Sequence, residues 1–283
     1  MSKVIEKNVF IDSIGTLIKI TPKFPGKWRL VQYWMNRRDN NAMRPRVLPG
    51  GCKVICDFSV PYECMVWLGR EEQEDLELLM RLLKPGQTFI DCGANIGIWT
   101  IVAASAVGKA GNIYAFEPNP NTFKKLHRNV YEISNLDSNV NLLKSAVGNE
   151  QKEIQFLCTE NHNVSQITSE NDSRAILVSV VTLDSIFKEQ KVHGLKIDVE
   201  GFELEVLKGA ENILKAYHPW LCVEFNTSIA QVNTLGSWSV HQYLSSLGYV
   251  CRQFKHALNS NNTSILPDSW ETSGYCNLYY SMK

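Results

Sequence analysis

From residue 88 onward, short apolar runs alternate with longer amphipathic stretches, and that alternation constrains the fold more than any other feature. Strands are read at 88–91, 112–116, 140–147, 195–198 and 221–224. Helices are read between them at 96–106, 121–133, 203–216 and 239–247. Strands separated by helices of this length build βαβ units, because a parallel pair needs a crossover. The runs 154–158 and 176–181 read as a strand pair around a polar loop, and 249–253 with 275–281 as a closing hairpin at one sheet edge. The expectation is an α/β, doubly wound, mainly parallel sheet with a C-terminal antiparallel hairpin. Its ligands belong at the carboxyl ends of the strands.

The first 70 residues have a different texture. Aromatics and Pro/Gly turns (Phe24-Pro25-Gly26, Leu48-Pro49-Gly50-Gly51) separate short apolar runs. Val54-Ile55-Cys56 and Met65-Val66-Trp67-Leu68 read as strands. The division expected is a small mixed or β-rich N-terminal cap over 1–70 and the α/β domain over 71–283. The latter opens with an amphipathic helix at 71–83 that Pro85-Gly86 ends. Trp28, Trp34 and Trp67 are expected in the core or at the domain interface, ahead of stacking on a sugar.

With 29 basic and 29 acidic residues the formal charge is zero, which gives no reason to expect nucleic acid or an anionic membrane as partner. No run is long and unbroken enough for a membrane span, and MSKVIEKNVF lacks the apolar stretch of a secretion signal. None of the eight cysteines forms a C-x-x-C pair, so free thiols in a reducing cytoplasm are expected. Oligomeric state is not readable.

The segment FIDCGANIGIWT, 89–100, ends the first strand on Asp91 and then spaces Gly93 and Gly97 as D-x-G-x-x-x-G. Glycine there admits unusual backbone angles and close approach of a ligand. A dinucleotide fingerprint requires glycine where Asn95 stands, so the spacing argues for a ligand without a pyrophosphate. The second strand ends at Glu117, placed to accept hydrogen bonds from two ribose hydroxyls. Ser145 and Ala146, at the end of the third strand, are expected beside an adenine ring.

Four blocks in order, FIDCGANIGIWT, YAFEPNPNTFKKLHRNV, VTLDSIF and LKIDVEGFELEVLKGAE, resemble the FkbM-type S-adenosylmethionine-dependent methyltransferases. The resemblance covers roughly residues 70 to 225. It implies a seven-stranded Rossmann-like methyltransferase sheet and transfer of a methyl group to a hydroxyl of a sugar, glycan or secondary metabolite. It implies S-adenosylmethionine held by Asp91, Gly93, Ala94, Asn95 and Gly97 at its methionine end, and by Glu117 at its ribose.

A hydroxyl acceptor must lose a proton. Asp198 and Glu200, after the fourth strand, are the catalytic candidates: two close carboxylates raise the pKa of one, which suits a base. Three other roles stand beside this. Glu200 caps the helix from Phe202, or pairs with Lys196, or the two acids hold a divalent metal with Glu224. No metal is expected. Of the histidines, His127 and His193 read as solvated, and His162 in the loop 159–174 is the one kept as a base candidate. The competing functions are an NAD-dependent oxidoreductase, against which Asn95 argues, and a non-catalytic nucleoside-binding module, against which the intact Asp91, Gly93, Gly97 and Glu117 argue.

Overall fold

A computed structural model describes residues 13, 15–18, 21, 27–39, 41–69, 72–136, 138–157, 166–167, 175–258 and 265–283. His162 and the Trp28 side chain lie outside the described residues. Two short strands, β1 (Met43–Val47) and β2 (Lys53–Asp57), form an antiparallel pair across the Pro49-Gly50-Gly51 turn. The strands β3 (Thr88–Cys92), β4 (Asn112–Phe116) and β5 (Val140–Leu143) then run parallel. Next come β6 (Ala146–Val147), β7 (Lys152–Leu157), β8 (Gln166–Ile167) and β9 (Ala175–Val181), which make a separate small sheet in the order β6-β9-β7-β8. The chain returns through β10 (Gly194–Ile197) and β11 (Trp220–Asn226) and closes with β12 (Tyr249–Gln253) and β13 (Tyr275–Met282).

The large sheet has seven strands in the order β12-β13-β11-β10-β3-β4-β5, and only β13 runs against the rest. This is the Rossmann-like, mainly parallel arrangement expected, hairpin included. Both faces are covered, as a parallel sheet requires. Alternate residues of one strand feed different cores. Phe89 belongs to the cluster that holds Ile101, Leu76, Val54 and Trp34, whereas Ile90 belongs to the one that holds Leu195, Val206 and Leu244. The first of these clusters runs continuously from the sheet into residues 31–68. There Trp34, Phe58 and Trp67 form a trio with ring centroids 5.3–5.8 Å apart, so both described tryptophans of this region are core residues. Such aromatic pairs contribute about 0.5–1.5 kcal/mol each beyond their area.

Three elements differ from the sequence reading, each for a local reason. Met65-Val66-Trp67-Leu68 is not a strand but lies in and just after the helix Pro61–Trp67. Pro61 sits in its first turn, and Gly69, at φ 68°, accepts the left-handed exit; these stop signals outweigh β-propensity. The single strand read over 140–147 is split between the two sheets, with the chain turning at residues 144 and 145. The helix read over 203–216 breaks into Glu203–Lys208 and Glu211–Tyr217. The break falls at Gly209, where a Cβ would meet the Gly148 carbonyl oxygen at 1.9 Å.

The helix Pro120–His127 passes into a π-helical turn, Arg128–Ile133. Asn129, buried within that turn, donates to the Ile96 carbonyl (2.9 Å) and accepts from the Ile55 amide (3.1 Å). It thereby ties β2 to the turn after β3. Lys125 adds a second tie, reaching Glu63 (2.7 Å) and Asp57 (2.9 Å). Among the described residues no helix is long and apolar enough to cross a membrane.

Candidate active site

The order of the large sheet reverses between β3 and β10, and at this switch point the strand ends open into a cavity of about 690 Å³. Of the residues singled out in the sequence, Gly93, Asn95, Glu117, Ser145, Ala146, Asp198 and Glu200 line it. Asp91, Ala94 and Gly97 are not among its lining residues. Asp91 lies beneath the floor, fully buried, where Thr100 Oγ1 donates to it at 2.6 Å and Lys196 Nζ stands 4.0 Å away.

The glycine turn has a tighter cause than ligand approach. Gly93 and Gly97 have φ of 83° and 95°, and Asn95 between them has 50°. A Cβ on Gly93 would sit 1.8 Å from the Asp198 carbonyl oxygen, and one on Gly97 would meet Leu126 at 2.7 Å. What comes close to this backbone is first the chain itself. The Gly93 and Ala94 amides both donate to the Phe116 carbonyl, and the Asn95 amide donates to Glu117 Oε2 (3.0 Å). Glu117 Oε1 accepts from the Asn119 amide (2.9 Å). Glu117 thus bridges the turns after β3 and β4, with both oxygens retaining acceptor capacity toward the cavity. Burial raises its pKa to about 7, against the pull of those two amides.

The opposite wall is made by the ends of β10 and β11. Lys196 is buried among three acids. It donates to Asp198 (3.0 Å), stands 4.0 Å from Asp91, and lies over the Trp99 ring with Nζ 5.3 Å from the centroid. Burial works against the ammonium, but Asp198, Asp91 and Glu72 outweigh it and hold its pKa well up. The lysine therefore pairs with Asp198, not with Glu200 as one sequence reading had it.

Glu200 does not cap the following helix either, whose start carries no side-chain cap; Glu203, in its first turn, accepts from the Gly201 amide at 2.9 Å. β10 ends at Ile197, so strand alternation does not carry through to Glu200, which adopts a left-handed φ of 54°. That turn still brings Asp198, Glu200 and Glu224 together, each with one oxygen within 4.8 Å of the others. Burial first, then Asp198 and Glu203, raises the Glu200 pKa to about 7. Burial with Asp198 and Glu200 raises that of Glu224 further still. Three carboxylate oxygens at this spacing have the chemistry to hold a hard divalent cation, though such clusters are common without one.

Residues that sequence reading passed over also meet here. Glu72, at φ 59°, accepts from Tyr62 Oη (2.7 Å) and from the Trp99 indole and lines the cavity. Phe156, Phe202 and Tyr275 complete the wall. Phe156 and Tyr275 fall on the strands read over 154–158 and 275–281, and Phe202 at the helix start after the fourth strand; the sequence placed each on an element but gave no sign that they meet at one cavity. His193 is half-buried and accepts from the Thr88 amide at 3.0 Å, so it pins the start of β3 and is not simply solvated.

An S-adenosyl cofactor fits these residues on a local observation. Ser145 Oγ is buried on the cavity wall with no hydrogen-bond partner. An orphaned hydroxyl there, in the cavity that the Glu117 carboxylate also lines, is matched by a ligand that carries polar edges and hydroxyls.

Sheet order and switch-point cavity define the class: a Rossmann-like fold with its cavity at the strand ends. The model of the methyltransferase FkbM domain matches residues 91–251, more than half of the sequence, and the chain belongs to that family. It is similar to the hexuronic acid methyltransferase AglP of Haloferax volcanii, with 28% identity over 168 residues, covering 56% of this chain and 64% of that protein. It is similar also to methyltransferase 1 of Beauveria bassiana, with 28% identity over 155 residues, covering 45% and 60%. The chain thus spans less than two thirds of each of these curated relatives. A crystal structure of methyltransferase FkbM from Methylobacillus flagellatus overlaps 77% of this chain and 54% of its own at 16% identity and a TM-score of 0.43.

Proposed function

We propose that this protein transfers a methyl group from S-adenosylmethionine to a hydroxyl of a sugar, glycan or secondary metabolite. The observation that carries the reading is Glu117, a carboxylate at the end of β4 that faces the cavity while holding the glycine turn through the Asn95 amide. Bidentate acceptance from a ribose is the chemistry an acid at that position supplies. Ser145 and Ala146 line the same wall and suit the adenine edge. Family membership supports methyl transfer, and the hexuronic acid methyltransferase relative supports a sugar-like acceptor.

The cofactor supplies an activated methyl on a sulfonium; the chain supplies alignment, exclusion of water and a proton acceptor. Asp198 is paired with Lys196 at 3.0 Å. Glu200, with a pKa near neutrality, suits the base that receives the acceptor's proton. A positioned base of this kind contributes about 10²–10⁴-fold.

Calorimetric titration with S-adenosylmethionine, and in parallel with NAD, tests the reading. The wild type is expected to bind the first and not the second. Glu117→Ala is expected to lose about tenfold or more in affinity, as removal of a charged hydrogen-bond acceptor does. A folded wild type that binds NAD, or that binds neither compound, would sink the methyltransferase reading.

A further inference from the structure

The charge around the cavity is one-sided. Five carboxylates line it, from Glu72, Glu117, Asp198, Glu200 and Glu224. Among the described residues no lysine, arginine or histidine lines it. Lys196, a cation close by among the described residues, lies under the floor and is committed to Asp198 and Asp91. The bound cofactor carries one net positive charge at neutral pH, from a sulfonium and an ammonium against one carboxylate. On the acceptor's side the oxygens of Asp198, Glu200 and Glu224 converge within 4.8 Å, where an ammonium can pair with them and an ionised acid cannot.

A second observation points the same way. In the β11–β13 register Asn226 faces Tyr275, which sets a largely exposed tyrosine ring at the cavity mouth two residues along from Glu224. Phe202 lines the same cavity from the turn that follows Glu200. Carboxylates backed by aromatic faces attract an ammonium and repel an acid, since ring faces and carboxylates both present negative potential.

We infer that the acceptor bears no ionised acid beside its reacting hydroxyl and binds best when it carries an ammonium there: an amino sugar or amine-bearing metabolite, not a uronate, sulfate or phosphate ester. This rests on the methyltransferase reading and goes beyond it. It also separates the chain from its hexuronic acid methyltransferase relative, whose acceptor is an acid by name. Discrimination of this kind needs no contact shaped for the right acceptor, because unpaired like charge rejects the wrong one.

The test uses cofactor analogues in which an amine nitrogen replaces the sulfur. The nitrogen carries either a methyl group or a three-carbon arm ending in ammonium, hydroxyl or carboxylate. All four are titrated into the full-length protein by calorimetry in EDTA. The methyl compound is expected to bind. The ammonium arm is expected to bind at least as tightly as the hydroxyl arm, and the carboxylate arm at least about tenfold more weakly than the hydroxyl arm. In a Glu200→Gln, Glu224→Gln double variant the methyl compound still binds, which shows an intact fold, and the spread between arms shrinks to about threefold or less.

A carboxylate arm that binds as tightly as the hydroxyl arm overturns the inference. So does a carboxylate arm rescued by added magnesium to the hydroxyl's affinity, because the acids then serve a metal that bridges to an anionic acceptor. Failure of the methyl compound to bind overturns the methyltransferase reading itself, and this inference with it.

Discussion

The turns after β3 and β10 are neighbours that solve one geometric problem with different residues. Each chain leaves its strand through left-handed backbone: Gly93, Asn95 and Gly97 in the first, Glu200 and Gly201 in the second. In the first turn the positive angles fall on two glycines and an asparagine, residues that adopt them at little cost. In the second, one falls on a glutamate, where left-handed geometry costs on the order of 1–3 kcal/mol. The first turn is therefore a joint, fixed by the Asp198 carbonyl against Gly93 and by Leu126 against Gly97. The second holds strain at a side chain that lines the cavity. Strain at an acid that lines the cavity fits the base role proposed for Glu200, and the neighbouring joint keeps that acid in position.

The largest expected effect breaks the joint. Gly93→Ala places a Cβ 1.8 Å from backbone oxygen, and no side chain can move to make room. Strain and overpacking together should cost at least about 3 kcal/mol, read as a lower urea midpoint or as insoluble protein. A Gly93→Ala protein with wild-type stability would show that β10 does not seat where described.

The second turn should respond in the opposite sense. Glu200→Gly removes the left-handed penalty and is expected to stabilise the fold by about 1 kcal/mol in urea unfolding, while methyl transfer falls about 10²–10⁴-fold. Glu200→Gln keeps the strain and is expected to lose transfer alike without the gain in stability. Full activity in both variants would move the base to Asp198 or Glu224.

The smallest effect is a pH dependence shared by both sides. Glu117 and Glu200 are each raised to about 7 from an ordinary value of 4.5, burial being the leading cause. Between those values the folded state holds more protons than the unfolded one, so their contribution to stability is present at low pH and is lost as pH rises toward 7. The thermal midpoint of the cofactor-free protein should be higher at about pH 5.5 than at about pH 8, by roughly 2–4 °C. Glu117→Gln should narrow that difference, and an unchanged difference in this variant would place the protons elsewhere.

Sequence alone determined the alternation of strands and helices, the parallel sheet with its closing hairpin, and the sites at strand ends. These follow from periodicity and from turn chemistry that acts over a few residues. The motif blocks located Asp91, Gly93, Asn95 and Glu117 because each ends a strand or sits in the turn that follows one. Local signals misled at residues 65–68, where an apolar run reads equally as strand or helix and only Pro61 and Gly69 decide between them. They were silent about Gly209, whose reason is the Gly148 carbonyl some 60 positions earlier in the chain (209 − 148 = 61).

Tertiary structure alone decided which carboxylates share a space. Glu72 comes from a helix cap and Glu224 from a strand remote in sequence, and both reach one cavity because β3, β10 and β11 are adjacent in the sheet. It also decided that Lys196 sits against Asp198 and Asp91 and, among the described residues, leaves Glu200 without an ion pair. Charge adds through space, whereas a sequence motif records only neighbours along the chain. The potential of this cavity therefore became readable only once the strands had been set side by side.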